Sequence, residues 1–161
     1  INHGSNISVN VLYSGTMSAA VEGALENIPS IGFSVTRTSW DFDTTGVEKV
    51  VSRVINNSIN NSFPDGTCLN VNMPPIGEKE LKGIKICRQA KAYWEDEFES
   101  GTDPHGYSYY WLSGEFKNFD KGSDTDFWAL QNNYASIVPV HYDMTAYHQI
   151  ERLNSWDNNS L

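Results

Sequence analysis

The sequence predicts an α/β protein in which helices cross over a parallel sheet. Three observations carry this. Two amphipathic helical patterns alternate with short apolar runs between residues 14 and 73, the runs have the length of buried strands, and the connections are brief. With 161 residues, 39% hydrophobic and 19% charged, the chain has the size and composition of one domain with a core of its own.

The chain opens on a turn rich in Asn and Gly, followed by a short segment at 9–13. Met17, Ala20, Val21, Ala24, Leu25 and Ile28 then fall at helical spacing, predicting one apolar face of a helix from near Ser14 to just before Pro29. Ala19, Ala20, Gly23 and Ala24 are small, so this helix can lie close on a sheet. Residues 31–35 read as a buried strand and 36–42 as a loop carrying Arg37, Trp40 and Asp41. Thr45 and Glu48 have capping-box spacing at the start of a second helix, with Val47, Val50, Val51, Val54, Ile55 and Ile59 as its core face. The polar run 56–62 and Pro64-Asp65-Gly66 end it, and Thr67–Met73 is a strand stopped by Pro74-Pro75.

From residue 83 the pattern changes. Residues 83–90 read as a strand with Ile84 and Ile86 on one face. The aromatic-rich stretches 92–98 and 107–116 flank a polar turn, predicting a long β-hairpin or extended arm. Tyr93, Trp94, Phe98, Tyr107, Tyr109, Tyr110 and Trp111 are more rings than such an arm can bury alone. They pack either on the domain's own core or at a subunit interface. The acidic run Glu95, Asp96, Glu97 and Glu99 reads as the hairpin's solvated face. A short helix at 127–131 is capped by Asp124 or Thr125, 134–140 is a last strand, and 145–156 is an amphipathic helix with Ala146, Ile150 and Leu153 on one side. The chain thus divides into a core at 1–90, an arm at 91–121, and a return to the core with a terminal helix at 122–161.

Eleven basic and 20 acidic side chains give a net charge of −9. That balance argues against a nucleic-acid polymer as ligand, whose binding draws on clustered Lys and Arg, but leaves room for a small phosphorylated one. No window reaches the roughly 20 apolar residues of a membrane span, and no basic-then-apolar signal peptide opens the chain, so the expected location is the cytoplasm. The first residue is Ile, which leaves any targeting segment upstream out of view. Cys68 and Cys87, both within expected strands, read as buried thiols rather than a disulfide.

Few residues stand out for chemistry. The four His lack metal-ligand spacing, and no nucleophile elbow, Walker loop or dinucleotide fingerprint is present. Asp124 and Asp126 fit an acid–base pair or a helix cap. Asp143 with His141 or His148 fits a dyad or a structural hinge. The opening stretch, with Asn2, Asn6 and Ser14-Gly15-Thr16 before a helix, has two readings. Free N–H groups and the dipole make a helix start a cheap place to hold an anion, so it is half of a phosphate site; or Ser14 or Thr16 is an N-cap and the Asn residues form turns.

Asn2-x-Gly4-x-Asn6, Leu12-Tyr13-Ser14-Gly15-Thr16 and Ala19-Ala20-x-Glu22-Gly23 together resemble the signature "GINxGxN…YSGTVxAAxEG" of the SurE family. Leu69-Asn70-Val71-Asn72-Met73-Pro74 resembles its "NINVP", Lys82-Gly83-Ile84-Lys85-Ile86 its "KGIRVT", Asp124-Thr125-Asp126-Phe127-x-Ala129 its "TDxxA", and Val138-Pro139-x-x-x-Asp143-x-Thr145-Ala146 its "TPLxxDLTA". The resemblance spans nearly the whole chain. It implies a Rossmann-like three-layer α/β core without its N-terminal strands, an extended β-hairpin, and a C-terminal helix swapped between subunits of a homodimer or homotetramer. It also implies a metal-dependent phosphomonoesterase that hydrolyses nucleoside 5′- and 3′-monophosphates. By position, Asn2 resembles the catalytic Asn that completes a Mg²⁺ or Mn²⁺ site. Asn6 likewise resembles a catalytic and phosphate-binding residue, and Ser14, Gly15 and Thr16 the rest of the phosphate pocket.

The sequence departs from the family pattern in two places. The Asp-Asp-Gly motif and a metal-binding Ser, which precede the Asn in the family, do not occur in this chain, so the isolated chain is expected to be inactive. Tyr147 stands where many relatives have His, with His148 one position later. The competing expectation is a non-catalytic oligomerisation or phosphoester-binding module.

Overall fold

A computed structural model describes residues 1–156 apart from Thr38, Trp40 and Ser62. The expected loop residue Trp40, Ser62 of the polar run and the Asp96 side chain of the acidic run therefore lie outside the described residues. The elements are β1 (Asn2–His3), a 3₁₀ helix (Ser8–Tyr13), α1 (Gly15–Leu25), β2 (Ser30–Val35), α2 (Thr45–Asn60), β3 (Thr67–Met73) and β4 (Gly83–Ile86). They continue with β5 (Ala92–Thr102), β6 (Ser108–Asn118), α3 (Asp126–Gln131), β7 (Tyr134–His141) and α4 (Tyr147–Asn154).

Five strands form one sheet in the order β1-β2-β3-β7-β4. β1, β2 and β3 run parallel, whereas β7 is antiparallel to β3 and parallel to β4. The parallel arrangement expected from the alternation up to residue 73 holds for β1, β2 and β3, and the sheet becomes mixed with β7 and β4. Parallel neighbours need a crossover of a dozen or more residues, usually a helix. α1 and α2 supply it between the first strands. The link at 74–82 carries no helix, so β4 returns in the opposite sense, and the long path through the hairpin and α3 makes β7 parallel to β4.

Alternate residues of β3 face two different layers. Val71 and Met73 join Val35, Val47, Val50 and Val54 under α2, while Cys68 meets Met17, Ala20 and Ala24 of α1 on the other face. Each Val or Met buried in this way contributes ~1.5–3 kcal/mol relative to exposure. Close approach of α1 to β2 depends on small residues: a Cβ on Gly32 would fall 2.4 Å from Met17 Sδ, and one on Gly23 2.1 Å from Ser30 Oγ.

Local expectations fail where the helices run out of sheet. Leu25 and Ile28 are exposed, because α1 ends at Leu25 and Asn27 turns the chain with φ +56°. Ile59 is exposed too, since 3.6 residues per turn place it roughly 120° around α2 from Val47; Ile55 lies at the same edge of the face. The Thr45–Glu48 capping box does not form. Thr44 is the N-cap residue and donates its hydroxyl to Glu48 (2.6 Å), while Asp43 Oδ1 accepts from the Thr45 N–H (2.9 Å) and hydroxyl (2.6 Å).

β5 and β6 pair in unbroken register from Ala92↔Asn118 to Thr102↔Ser108. At the base of this arm Phe116 stacks on Phe127 of α3 (5.4 Å) and Tyr93 on Phe119 (5.4 Å). Further out, Phe98, Tyr107, Tyr110 and Trp111 are 67–74% exposed, so these rings do not pack on the chain's own core. No residue of α4 is buried. Cys68 and Cys87 are both buried free thiols, and burial pushes Cys87 up to about 11.

Candidate active site

The site begins where β1 and β2 end. Gly4, at φ +100°, turns the chain over their carboxyl ends, and its N–H donates to Val35 O (2.9 Å). In open α/β sheets this edge is where ligands bind. Cross-strand register aligns Asn2, Ser34, Asn72, Ser136 and Lys85 in one row across all five strands. Ser34, Asn72 and Ser136 are fully buried, giving this face of the sheet a polar centre.

Two asparagines of β3 hold the loop after β1 against that row. Asn72 Oδ1 accepts from the Asn6 N–H (2.8 Å), and Asn70 Nδ2 donates to Asn6 O (2.7 Å). Asn72 Nδ2 donates in turn to Asn70 Oδ1 (2.7 Å). The Asn6 side chain donates to Ser34 Oγ (2.7 Å), so residue 6 is fixed through backbone and side chain alike. A buried amide left without such partners would cost ~1–3 kcal/mol.

Asp126 secures the next step of the loop. Its residue is fully buried, and its carboxylate accepts from the N–H groups of Ser8 (2.8 Å), Ala90 (3.0 Å) and Phe127 (2.8 Å). Burial pushes its carboxyl above the usual range, and the three N–H donors oppose that shift. Ser8 needs this anchor: it is a non-glycine residue at φ +53° with no exposed surface. Asp124 does something different. Asp124 and Asp120 both pair with Arg88, at 2.8 and 2.5 Å. Thr125, as expected, caps α3 by accepting from the Trp128 N–H (3.2 Å). The two carboxylates at 124 and 126 therefore serve separate structural bonds rather than one acid–base pair.

Ser14 caps α1, its hydroxyl accepting from the Met17 N–H (3.1 Å). The N-cap reading of this stretch is the one observed, and the cap leaves the N–H groups of Gly15 and Thr16 without a carbonyl partner within the helix. Gly15 is exposed, and a Cβ there would meet nothing within 4 Å. Asn6 and Ser14 share the wall of an open cleft of about 660 Å³ that extends to Tyr93 and Trp94 at the base of the hairpin. Asn2 stands apart from that cleft, one place along the row from Ser34. Its Nδ2 donates to Gly4 O (2.9 Å), which leaves Oδ1 as its free acceptor.

Asn2 Oδ1 suits a hard cation as a single neutral ligand. Among the described residues no group of three or more His, Cys, Asp and Glu could complete such a site. Asp143 takes part in a turn instead of a dyad. It accepts from the Thr145 N–H (2.8 Å) and the Tyr147 hydroxyl, and its own N–H donates to His141 Nδ1 (2.9 Å); the Thr145 side chain first, then Tyr147 and the Thr145 N–H, hold its carboxyl at about 2.

Sequence reasoning quoted Asn70, Asn72 and Asp126 within motifs but gave none of them the role of loop anchor. A signal existed for the first two. Asn is disfavoured in strands, and two at alternate positions of an otherwise apolar strand put amides on one buried face.

The family model described as "Survival protein SurE" matches residues 1–96. The 5′-nucleotidase SurE of Flavobacterium psychrophilum is 55% identical over 159 residues, covering 99% of this chain and 62% of that protein. The 5′-nucleotidase SurE of Carboxydothermus hydrogenoformans is 40% identical over 157 residues, covering 97% of this chain and 60% of that protein. The crystal structure of the SurE protein from Aquifex aeolicus superposes with a TM-score of 0.77 at 35% identity, over 96% of this chain and 62% of that one. The chain thus spans about three fifths of the length of the relatives it matches. The match covers the turn at Gly4, α1, β2 and β3, and every residue of the cleft wall except Leu112 of β6, and the chain belongs to the SurE family.

Proposed function

We propose that this chain is the phosphate-holding part of a metal-dependent phosphomonoesterase that hydrolyses nucleoside 5′- and 3′-monophosphates. The observation that carries the reading is the start of α1, where the Ser14 hydroxyl and the free N–H groups of Gly15 and Thr16 open beside a cleft that Asn6 also lines. Relatives that bear the name 5′-nucleotidase SurE support the same chemistry.

In this reading the non-bridging phosphate oxygens rest against the first turn of α1, whose dipole and N–H groups favour negative charge. Those donors are fixed before the ligand arrives, so no reorganisation is needed as charge shifts in the transition state. Asn6 adds its second Nδ2 proton, with its position set by Asn70, Asn72 and Ser34. Asn2 offers Oδ1 to a divalent cation of the Mg²⁺ or Mn²⁺ kind, whose remaining carboxylate ligands belong to the part of the protein that this chain does not span. When bound, that cation supplies Lewis-acid polarisation of the phosphoryl group. We place the protein in the cytoplasm as a homo-oligomer; the exposed rings of the hairpin and the unburied α4 support self-association.

Release of phosphate from AMP and 3′-AMP by the full-length protein, with and without EDTA, tests the reading. Asn2→Asp is expected to retain more activity than Asn2→Ala, because a carboxylate oxygen can still ligate the cation. Equal loss in both variants argues against the ligand role. Activity indifferent to EDTA overturns the metal dependence.

A further inference from the structure

The cleft beside α1 is larger than a phosphate needs, and its two ends differ in chemistry. At one end lie Asn6 and Ser14. At the other, β5 runs against the 3₁₀ helix and brings Tyr93 and Trp94 into the wall, beside Leu112 of β6. Its volume of about 660 Å³ lies in the range of small-molecule sites, roughly 300–1,000 Å³. Tyr13, which precedes the helix cap, also lines it. That ring is 85% exposed and makes no hydrogen bond or ring contact among the described residues. Trp94 is 52% exposed, with only an edge contact to Phe116 at 5.8 Å. Two large rings therefore line one cleft with the helix start, Tyr13 almost wholly exposed and Trp94 about half exposed.

We propose that this aromatic end is the nucleobase subsite, with Tyr13 and Trp94 offering their faces to the base while the phosphate lies at the start of α1. The proposal rests on the nucleotidase reading above and adds which residues select a nucleotide over other phosphate esters. An aromatic face stacks on any base, so the subsite favours nucleotides as a class without sharp choice among bases. Asn10, on the same wall, supplies an amide for a polar edge of the base or sugar. A second cleft of about 420 Å³ shares Trp94 and Ser5 but has Phe116, Phe127 and Leu130 in place of the helix start. Its polar side chains are Ser5, Thr36, Gln131 and Asn133, and it lacks the helix N-terminus that the first cleft offers an anion.

The test is calorimetric binding of AMP and of inorganic phosphate to the full-length protein with Mg²⁺ present. Tyr13→Ala and Trp94→Ala are each expected to weaken AMP by about 5- to 150-fold, the equivalent of one lost stacking contact, and to leave phosphate affinity unchanged. Tyr13→Phe keeps the ring and is expected to keep AMP affinity within about threefold. Because Tyr13 is exposed, its truncation carries little folding cost, whatever Trp94→Ala does to the hairpin base. Unchanged AMP affinity in Tyr13→Ala overturns the proposal, as does an equal loss for AMP and phosphate. A wild type that binds AMP in this pattern yet releases no phosphate overturns the nucleotidase reading and leaves the subsite standing.

Discussion

Replacing Asp126 with asparagine exchanges one buried oxygen for an amide nitrogen at the point that fixes the site loop. In the native chain Oδ2 accepts from Ser8, and Oδ1 accepts from both Ala90 and Phe127. The asparagine keeps more bonds by placing its oxygen at the Oδ1 position, which turns its NH₂ group onto the Ser8 N–H. Two donors then face one another, and a buried N–H loses its acceptor at a cost of ~1–3 kcal/mol. Ser8 is the residue least able to adjust, since its φ of +53° already holds strain of ~1 kcal/mol or more. Urea unfolding of the full-length protein at pH 7 is expected to show Asp126→Asn destabilised by ~1–3 kcal/mol.

The pH dependence supplies an independent check on the cause. Burial raises the folded Asp126 carboxyl above its unfolded value of 3.8. The folded state then binds the proton more tightly, so this group's contribution to stability falls as pH rises through the window between those two values. Asparagine does not titrate. The deficit of Asp126→Asn relative to wild type is therefore largest on the acid side and narrows with rising pH across that window. A variant within 0.5 kcal/mol of wild type at every pH, on the scale of a neutral surface change of about that size, would refute the anchoring role.

Two further outcomes follow from the packing and the surface charges. Gly46→Ala adds a methyl that would fall 2.2 Å from the backbone oxygen of Ile76. The helix-propensity gain of ~1 kcal/mol is outweighed by the clash, so a net loss of ~1–2 kcal/mol is expected in thermal unfolding, and a higher Tm would contradict the close contact. Asp143, held at about 2 chiefly by Thr145, contributes stability that is complete above the unfolded value of 3.8 and is lost as pH falls towards 2. Asp143→Asn should lose less stability than wild type between pH 5 and pH 3, and parallel curves would show that the turn carries no such linkage.

Much of the fold was legible because periodicity reports burial directly. Thr67–Met73 was bounded as observed, and the hairpin and the short helix capped by Thr125 also emerged from local pattern. The parallel direction of β1, β2 and β3 emerged too, but that of β4 and β7 did not. It depends on what joins the strands, and the helix-free link after β3 reverses β4 in a way that no single strand's composition announces. The missed cap at Thr44 has a similar origin. Thr45 has the right spacing to Glu48, but Asp43 takes the Thr45 N–H first.

The site divides along the same line between local and distant causes. Ser14, Gly15 and Thr16 were readable because a helix start is a local event, complete within a few residues. The loop that carries Asn6 is held by Asn72, 66 residues away, and its neighbour Ser8 by Asp126, 118 residues away. Neither partner touches the cleft. If the cleft holds phosphate as proposed, substitutions in β3 or at the start of α3 act on its affinity by moving Asn6, without removing any group that lines the cleft. Side chains on the wall, such as the exposed Tyr13, would act in the same proposal without moving the loop. The proposed site therefore predicts that variants of the first set disturb phosphate and nucleotide together, and variants of the second disturb nucleotide alone.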